Sequence, residues 1–266
     1  MSTNRFLRAR TQLAHLLARI AGQYPQEMIA GQIRDIPRIS FNISLAIDAA
    51  ATRQLGNLAI CDIGGGLSMF SVGCAAAGFG RSVLVDDFND SFNNKSGNAA
   101  LSLHRRYNVE VFSRDAVHDG LRDIEGPFDV ITTFDSMEHW HNSPKRLFQD
   151  VVSKLKPNGS FVLGVPNCVN LRKRLSVLFG HGKWSLMQHW YEEELFRGHV
   201  REPDVGDLKY IAHDMHLNEI RILGRNWLGY DSSRLWIRNA TRLVDYPLRL
   251  IPSLCSDLYL IGQKAA

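Results

Sequence analysis

From residue 57 to residue 165, short apolar runs alternate with longer stretches whose apolar residues recur at helical spacing. This is the pattern of βαβ units feeding a parallel sheet. The runs at 58–63, 83–85, 109–112, 128–134 and 160–165 predict five strands. The fourth is apolar almost throughout, as a central strand covered on both faces should be. Helices are predicted over 67–77, 91–107 and from near Pro144 to about 155. Pro144 falls at a helix start, where its missing N–H costs little, and Lys156-Pro157-Asn158-Gly159 reads as a turn. Beyond 168 the pattern loosens into a basic amphipathic helix (171–179), a break at Gly180 and Gly182, and an aromatic cluster of Trp184, Trp190, Tyr191 and Phe196. A helix over 204–213 and strands at 220–223 and 258–261 complete seven strands. The chain thus divides into an N-terminal helical cap (1–56) and an α/β domain (57–266) with an insert at about 168–200.

Composition changes this picture little. With 266 residues, 45% hydrophobic and 22% charged, the chain can bury a full α/β core. A net charge of +4, without a Lys/Arg run interleaved with aromatics, gives no reason to expect nucleic acid. No apolar run approaches the roughly 20 residues that cross a bilayer. Before Glu27 the N-terminus holds Arg5, Arg8, Arg10 and Arg19 and no acid, with Phe6, Leu7, Leu13, Leu16, Leu17 and Ile20 at helical spacing. That start is open between an organelle presequence, a membrane-surface helix and a helix that caps the domain. Cys61, Cys74, Cys168 and Cys255 are scattered, which suits neither zinc nor a disulfide framework. Free buried thiols and a cytoplasmic location are the expectation.

The chemistry gathers where predicted strands end. Asp62-Ile63-Gly64-Gly65-Gly66-Leu67-Ser68 joins the first strand to its helix. Glycines there allow tight turning and close approach to a ligand, and the helix start can face an anionic group. A turn serving only strand-to-helix packing would read the same way. Acids at the ends of the next strands favour the ligand: Asp86 and Asp87 after the second, Asp115 after the third, Asp135 after the fourth. Ligands of open parallel sheets bind at these strand ends, where an acid can accept from ribose hydroxyls.

These residues carry a family resemblance. "ICDIGGGLS" is similar to motif I of class I methyltransferases that use S-adenosylmethionine (SAM), and "VLVDDF" and "SRDAV" resemble their ribose and adenine segments. "PFDVITTFDSMEHW" with "LFQDVVSKLKPNGSFVLGVPN" resembles the subgroup of ubiquinone-biosynthesis O-methyltransferases and many glycan and natural-product methyltransferases. The resemblance covers 57–167 well and 198–212 faintly, and Ser68 departs from the third glycine of its G-x-G-x-G loop. It implies a Rossmann-like, doubly wound, seven-stranded sheet, mostly parallel with the last strand antiparallel, and SAM as cofactor. It implies that Asp62, Gly64, Gly65 and Gly66 hold the methionine end. Asp86, or Asp87 one residue on, takes the ribose hydroxyls; Asp115 and Ala116 meet the adenine; Phe134 and Asp135 line the floor. A nicotinamide dehydrogenase would need a glycine where Met69 stands.

Transfer to an oxygen benefits from a base. His139, after the fourth strand, is the first candidate, His199 the second and His141 the third; each is otherwise a structural or exposed histidine. Glu138 reads either as the partner orienting His139 or as a cap on the next helix. No tight acid/His spacing demands a metal, and none is expected. The aromatic insert is divided between an acceptor pocket or lid and a small core of its own; Arg172, Lys173 and Arg174 could meet phosphate, lipid or water. The expected activity is methyl transfer from SAM to an oxygen of a small molecule or saccharide. An N- or C-methyltransferase and a non-catalytic SAM-fold subunit are the competing readings.

Overall fold

The computed structural model describes residues 3–50, 54–89, 91–182, 185, 187–192, 194, 196–230 and 232–266, with backbone only at 3–10 and 91–95. Seven strands form one sheet: β1 Ala59–Ile63, β2 Arg81–Asp86, β3 Val109–Ser113, β4 Phe128–Phe134, β5 Leu155–Pro166, β6 Asn218–Arg225 and β7 Asp257–Gln263. Their spatial order is β3-β2-β1-β4-β5-β7-β6. The first five strands run parallel, and β7 lies antiparallel between β5 and β6. This is the Rossmann-like fold that the resemblance implied. The order reverses at β1, which pairs β2 on one side and β4 on the other. That switch point opens a crevice beyond the strands' carboxyl ends.

Alternation along each strand divides the interior into two cores. Ile60, Leu84, Val130, Val162 and Ile261 face one side; Cys61, Val83, Ile131, Leu163 and Leu260 face the other. The first face is covered by α1 Thr3–Ala21, α2 Gln26–Ala49, α3 Phe70–Ala77 and α4 Ser91–Arg106. The short α5 Ala116–Asp119 follows β3, and α6 Lys145–Lys154 helps cover the second face. After β5 come α7 Leu171–Leu178 and α8 Met187–Glu192, then α9 Val205–Asp214 on the second face; α10 Trp227–Tyr230 and α11 Leu235–Arg249 lie between β6 and β7. Helix α3 begins later than residue 67, because Gly66 to Ser68 still turn. The predicted turn at 156–159 falls within the span of β5, at a shift of register against β4, with Asn158 at φ 60°.

The N-terminal segment is built into the first core. Leu17, Ile20 and Ile43 are fully buried, so the described part of α1 turns its apolar side to the domain. The side chains of Arg5, Phe6, Leu7, Arg8 and Arg10 lie outside the described residues. Three of the four cysteines are buried and all four are free. Gly73 on α3 sets the closeness of the helices: a Cβ there would come within 2.6 Å of Ile43 and 2.8 Å of Leu17. Gly73→Val should therefore cost about 1–3 kcal/mol through overpacking, read as a lowered Tm. An unchanged Tm would show that α1 and α2 are not seated as described.

Candidate functional site

The loop after β1 is shaped by what lies beneath it. Asp62 is 3% exposed, and its carboxylate accepts from Thr132 Oγ1 at 2.8 Å and Ser71 Oγ at 3.2 Å. Burial, opposed by those two hydrogen bonds, pushes its pKa up to about 7. A Cβ on Gly65 would stand 2.0 Å from Asp62 Oδ2. Gly64 has φ +72°, and a Cβ there would strike the Ser136 hydroxyl at 1.9 Å; Gly66 has φ +54° and opens onto empty space. Ser68 needs no such freedom. Its hydroxyl accepts from Phe70 N at the start of α3, so serine is accommodated where the family pattern has glycine.

The other strand ends converge on this loop. They form a cleft of about 540 Å³ lined by Gly64, Gly66, Asp86, Asp87, Asp115, Ala116, Asp135, His139 and His141 among others. Asp86 accepts from Gly66 N and Phe88 N, both at 2.8 Å, and so clasps the loop to β2. Asp115 caps α5, accepting from Val117 N and His118 N. Asp62, Gly65, Phe134 and His199 do not line the cleft. Phe134 is buried between Phe70 and Tyr259, with ring centroids at 5.1 and 6.1 Å. His199 packs edge-on against His139 at 4.9 Å.

Both histidines are fixed through Nδ1. His139 Nδ1 lies 2.9 Å from the Arg197 carbonyl, which can only accept, so this nitrogen carries the proton and Nε2 the lone pair. His199 Nδ1 lies 2.7 Å from Glu202 Oε1, and Glu202 also pairs with Lys173 of α7. Burial, then the neighbouring His199, holds the His139 pKa below its ordinary value. Glu138 neither orients His139 nor caps α6. It is 1% exposed, its Oε2 has no hydrogen-bond partner, and burial raises its pKa well above the carboxylate range. Its carbonyl instead accepts from Val200 N and Arg201 N, tying the segment of His199 to the end of β4. Glu138, His139 and His199 present donor atoms within 4.8 Å of one another, a set with the chemistry to hold a metal ion. Linear spacing did not reveal it, because His199 arrives from a distant segment.

Other site residues had no sequence signal. Arg38, from the N-terminal α2, reaches Asp135 Oδ2 at 2.9 Å, while burial raises the Asp135 pKa against that pairing. Gln32, also on α2, brackets the glycine loop by bonding Leu67 O and Met69 N at 3.2 Å each. In the aromatic insert, Trp190 and Tyr191 are exposed rather than packed in a core of their own, and Phe196 lines the cleft. Trp184 lies outside the described residues.

A doubly wound sheet whose switch point carries a glycine loop and a ring of strand-end acids places a ligand cleft at the carboxyl ends of its strands. A family model described as a methyltransferase domain matches residues 6–220, and the chain belongs to that family. No curated protein matches it in sequence. Among solved structures, a SAM-dependent methyltransferase from Thermotoga maritima, described as a possible histamine N-methyltransferase, superposes with TM-score 0.51 at 14% identity, over 95% of this chain and 99% of that one. Magnesium protoporphyrin IX methyltransferase from Synechocystis PCC 6803 with bound SAH gives 0.53 at 14%, over 99% and 95%. The YcgJ protein from Bacillus subtilis gives 0.53 at 17%, over 85% and 99%. The chain spans only 60% of the length of an O-methyltransferase family protein from Burkholderia thailandensis, 13% identical with TM-score 0.48 over 89% of this chain. The chain thus carries a methyltransferase domain on the fold shared by SAM-dependent methyltransferases. The cleft has the character to take SAM: Asp86, Asp87, Asp115 and Asp135 supply hydroxyl acceptors and negative potential for a cation, and Gly66 leaves room for close approach.

The buried acid makes a stability prediction. Folding raises the pKa of Asp62, so the folded chain holds its proton longer than the unfolded chain, and this contribution to stability is lost as pH rises towards about 7. Asp62→Asn removes the titration. Its Tm relative to wild type should climb between about pH 4 and about pH 7 and level off above; a difference independent of pH would contradict the burial of a titrating acid.

Proposed function

We propose that this chain transfers the methyl group of SAM to an oxygen of a small molecule or saccharide, with His139 as the base that takes the acceptor's proton. The observation that carries the reading is the fixed tautomer of His139, whose Nδ1 proton is committed to the Arg197 carbonyl at the lip of the cleft. Nε2 is left with a lone pair, and a lowered pKa keeps the ring neutral near pH 7. His199, held by Glu202, packs against that ring and favours its neutral form by like-charge repulsion.

In this reading SAM supplies a methyl group already activated by its sulfonium, so the protein's task is mainly positioning, which can contribute on the order of 7–11 kcal/mol. Gly64 and Gly66 would admit the methionine end, with Asp62 beneath Gly65 shaping the loop from behind rather than lining the cleft. Asp86 and Asp87 take the ribose hydroxyls, and Asp115 and Ala116 meet the adenine. Asp135, paired with Arg38, and Phe134 behind it support the floor. Phe196 and Arg197, which line the cleft next to His139, belong to the acceptor side.

Radiolabelled SAM offered with fractionated metabolites tests the activity. Against an acceptor so found, His139→Ala should lower kcat about 10²- to 10⁴-fold with SAM affinity held within about twofold. The acid limb of kcat/KM should lie below pH 6.5, because the shift of His139 is downward. Treatment with a chelator should leave turnover intact. Activity lost to the chelator and restored by a divalent cation would reassign Glu138, His139 and His199 to a metal, and a product methylated on nitrogen or carbon would refute the oxygen acceptor.

A further inference from the structure

Helix α11 is turned inside out. Its inward side carries polar groups beside the half-buried Ile237 and Leu248: buried Asp245 accepts from Asn226 Nδ2 at 2.8 Å and the Tyr230 hydroxyl at 2.9 Å, and Thr241 presses against Gly229. Its outward side is apolar. Leu235, Trp236, Leu243 and Tyr246, with Leu250 just past its end, are 60–80% exposed. The same holds for the outer side of α7, where Leu175, Leu178 and Phe179 are 49–78% exposed. Helix α7 is tied to the turn that follows α11, since Arg174 donates to Ser253 O at 3.2 Å. A soluble helix normally does the reverse, burying its apolar stripe, and apolar side chains left exposed in this number on neighbouring helices point to an interaction site.

Charge selects the partner. Arg172 and Arg174 on α7, Arg242 on α11 and Arg234 just before it are exposed. Helix α7 contains no acid, and the single acid of α11, Asp245, is buried and paired with Arg249. A second copy meeting this face about a twofold axis would set arginine against arginine. An anionic bilayer complements both the apolar centre and the basic surround. None of the described helices is long and apolar enough to cross a membrane, so contact would be in the plane of the interface.

We propose that α7 and α11 form a membrane-binding face that seats the chain on bilayers rich in anionic phospholipid. Helix α7 is linked to the cleft by its buried Lys173, the partner of Glu202, which holds His199 against His139. The basic segment at 172–174 therefore serves two surfaces: its buried lysine braces the site, and its exposed arginines meet headgroups.

Cosedimentation of the full chain with vesicles tests this. Binding is expected to vesicles containing about one third phosphatidylglycerol, at least about tenfold weaker to phosphatidylcholine alone, and weakening as salt rises from roughly 0.1 to 1 M. Leu243→Glu/Leu250→Glu should lower partitioning at least about tenfold without lowering Tm, because both positions are exposed. Arg105→Glu/Arg106→Glu alters exposed charge on α4, beside β3 at the opposite edge of the sheet, and should leave binding within about twofold. Absence of cosedimentation, or equal loss in both double variants, would overturn the proposal. So would a dimer in sedimentation equilibrium that Leu243→Glu/Leu250→Glu dissolves, for then a second copy owns the face.

Discussion

An aspartate shut away from water beneath three glycines constrains the whole site. Asp62 satisfies its oxygens with Thr132 from β4 and Ser71 from α3, so one side chain joins the two central strands to the helix that follows the loop. A carboxylate there leaves no room for a Cβ at Gly65, and Ser136 leaves none at Gly64. The loop has a single way to pass over the acid, and that path delivers Gly66 to Asp86 at the end of β2. Positions far apart in the chain are thereby set against one another at the point where strand order reverses.

Much of this was legible in the chain itself, for a physical reason. Strands covered on both faces must be apolar, so β1, β4 and β5 announce themselves, and the acids at the carboxyl ends of β1, β2, β3 and β4 stand out against that background. The glycine loop was legible as chemistry, though its meaning was not: Asp86 already clasps Gly66, and Asp115 already caps α5, so each acid has a structural duty beside any ligand. Contacts made by tertiary packing left no local trace. Nothing near Arg38 or Gln32 marks them as site residues, because α2 reaches the loop and Asp135 only once α1 and α2 have docked on α3. The pairing of His139 with His199 was equally hidden; it depends on the Glu138 carbonyl holding the segment at 200–201. Ser68 looked like a defect in the loop and is instead a hydroxyl placed for the first turn of α3.

The two sides of the molecule divide the work. The strand ends from β1 to β3 present acids and open backbone suited to a cationic nucleoside. In the proposed reading the acceptor side is made of later segments: the turn after β4, Phe196, Arg197 and the Lys173–Glu202–His199 chain. Lys173 places that chain on α7, one of the two amphipathic helices whose exposed residues are apolar and basic together. An acceptor carried at an interface would meet the site from that direction, while the donor side stays with the sheet.

The central claim is that the loop over Asp62 is the seat of SAM, and titration calorimetry of SAM against wild type and Gly64→Ala tests it most directly. At Gly64 a side chain is excluded twice, by φ +72° and by Ser136 at 1.9 Å, while its N–H donates to Val85 O of β2 at 2.8 Å. The account predicts saturable, one-to-one binding to wild type and affinity at least about tenfold weaker in the variant, a difference of about 1.4 kcal/mol or more, with an unchanged circular dichroism spectrum. Equal affinity in the two proteins would contradict it.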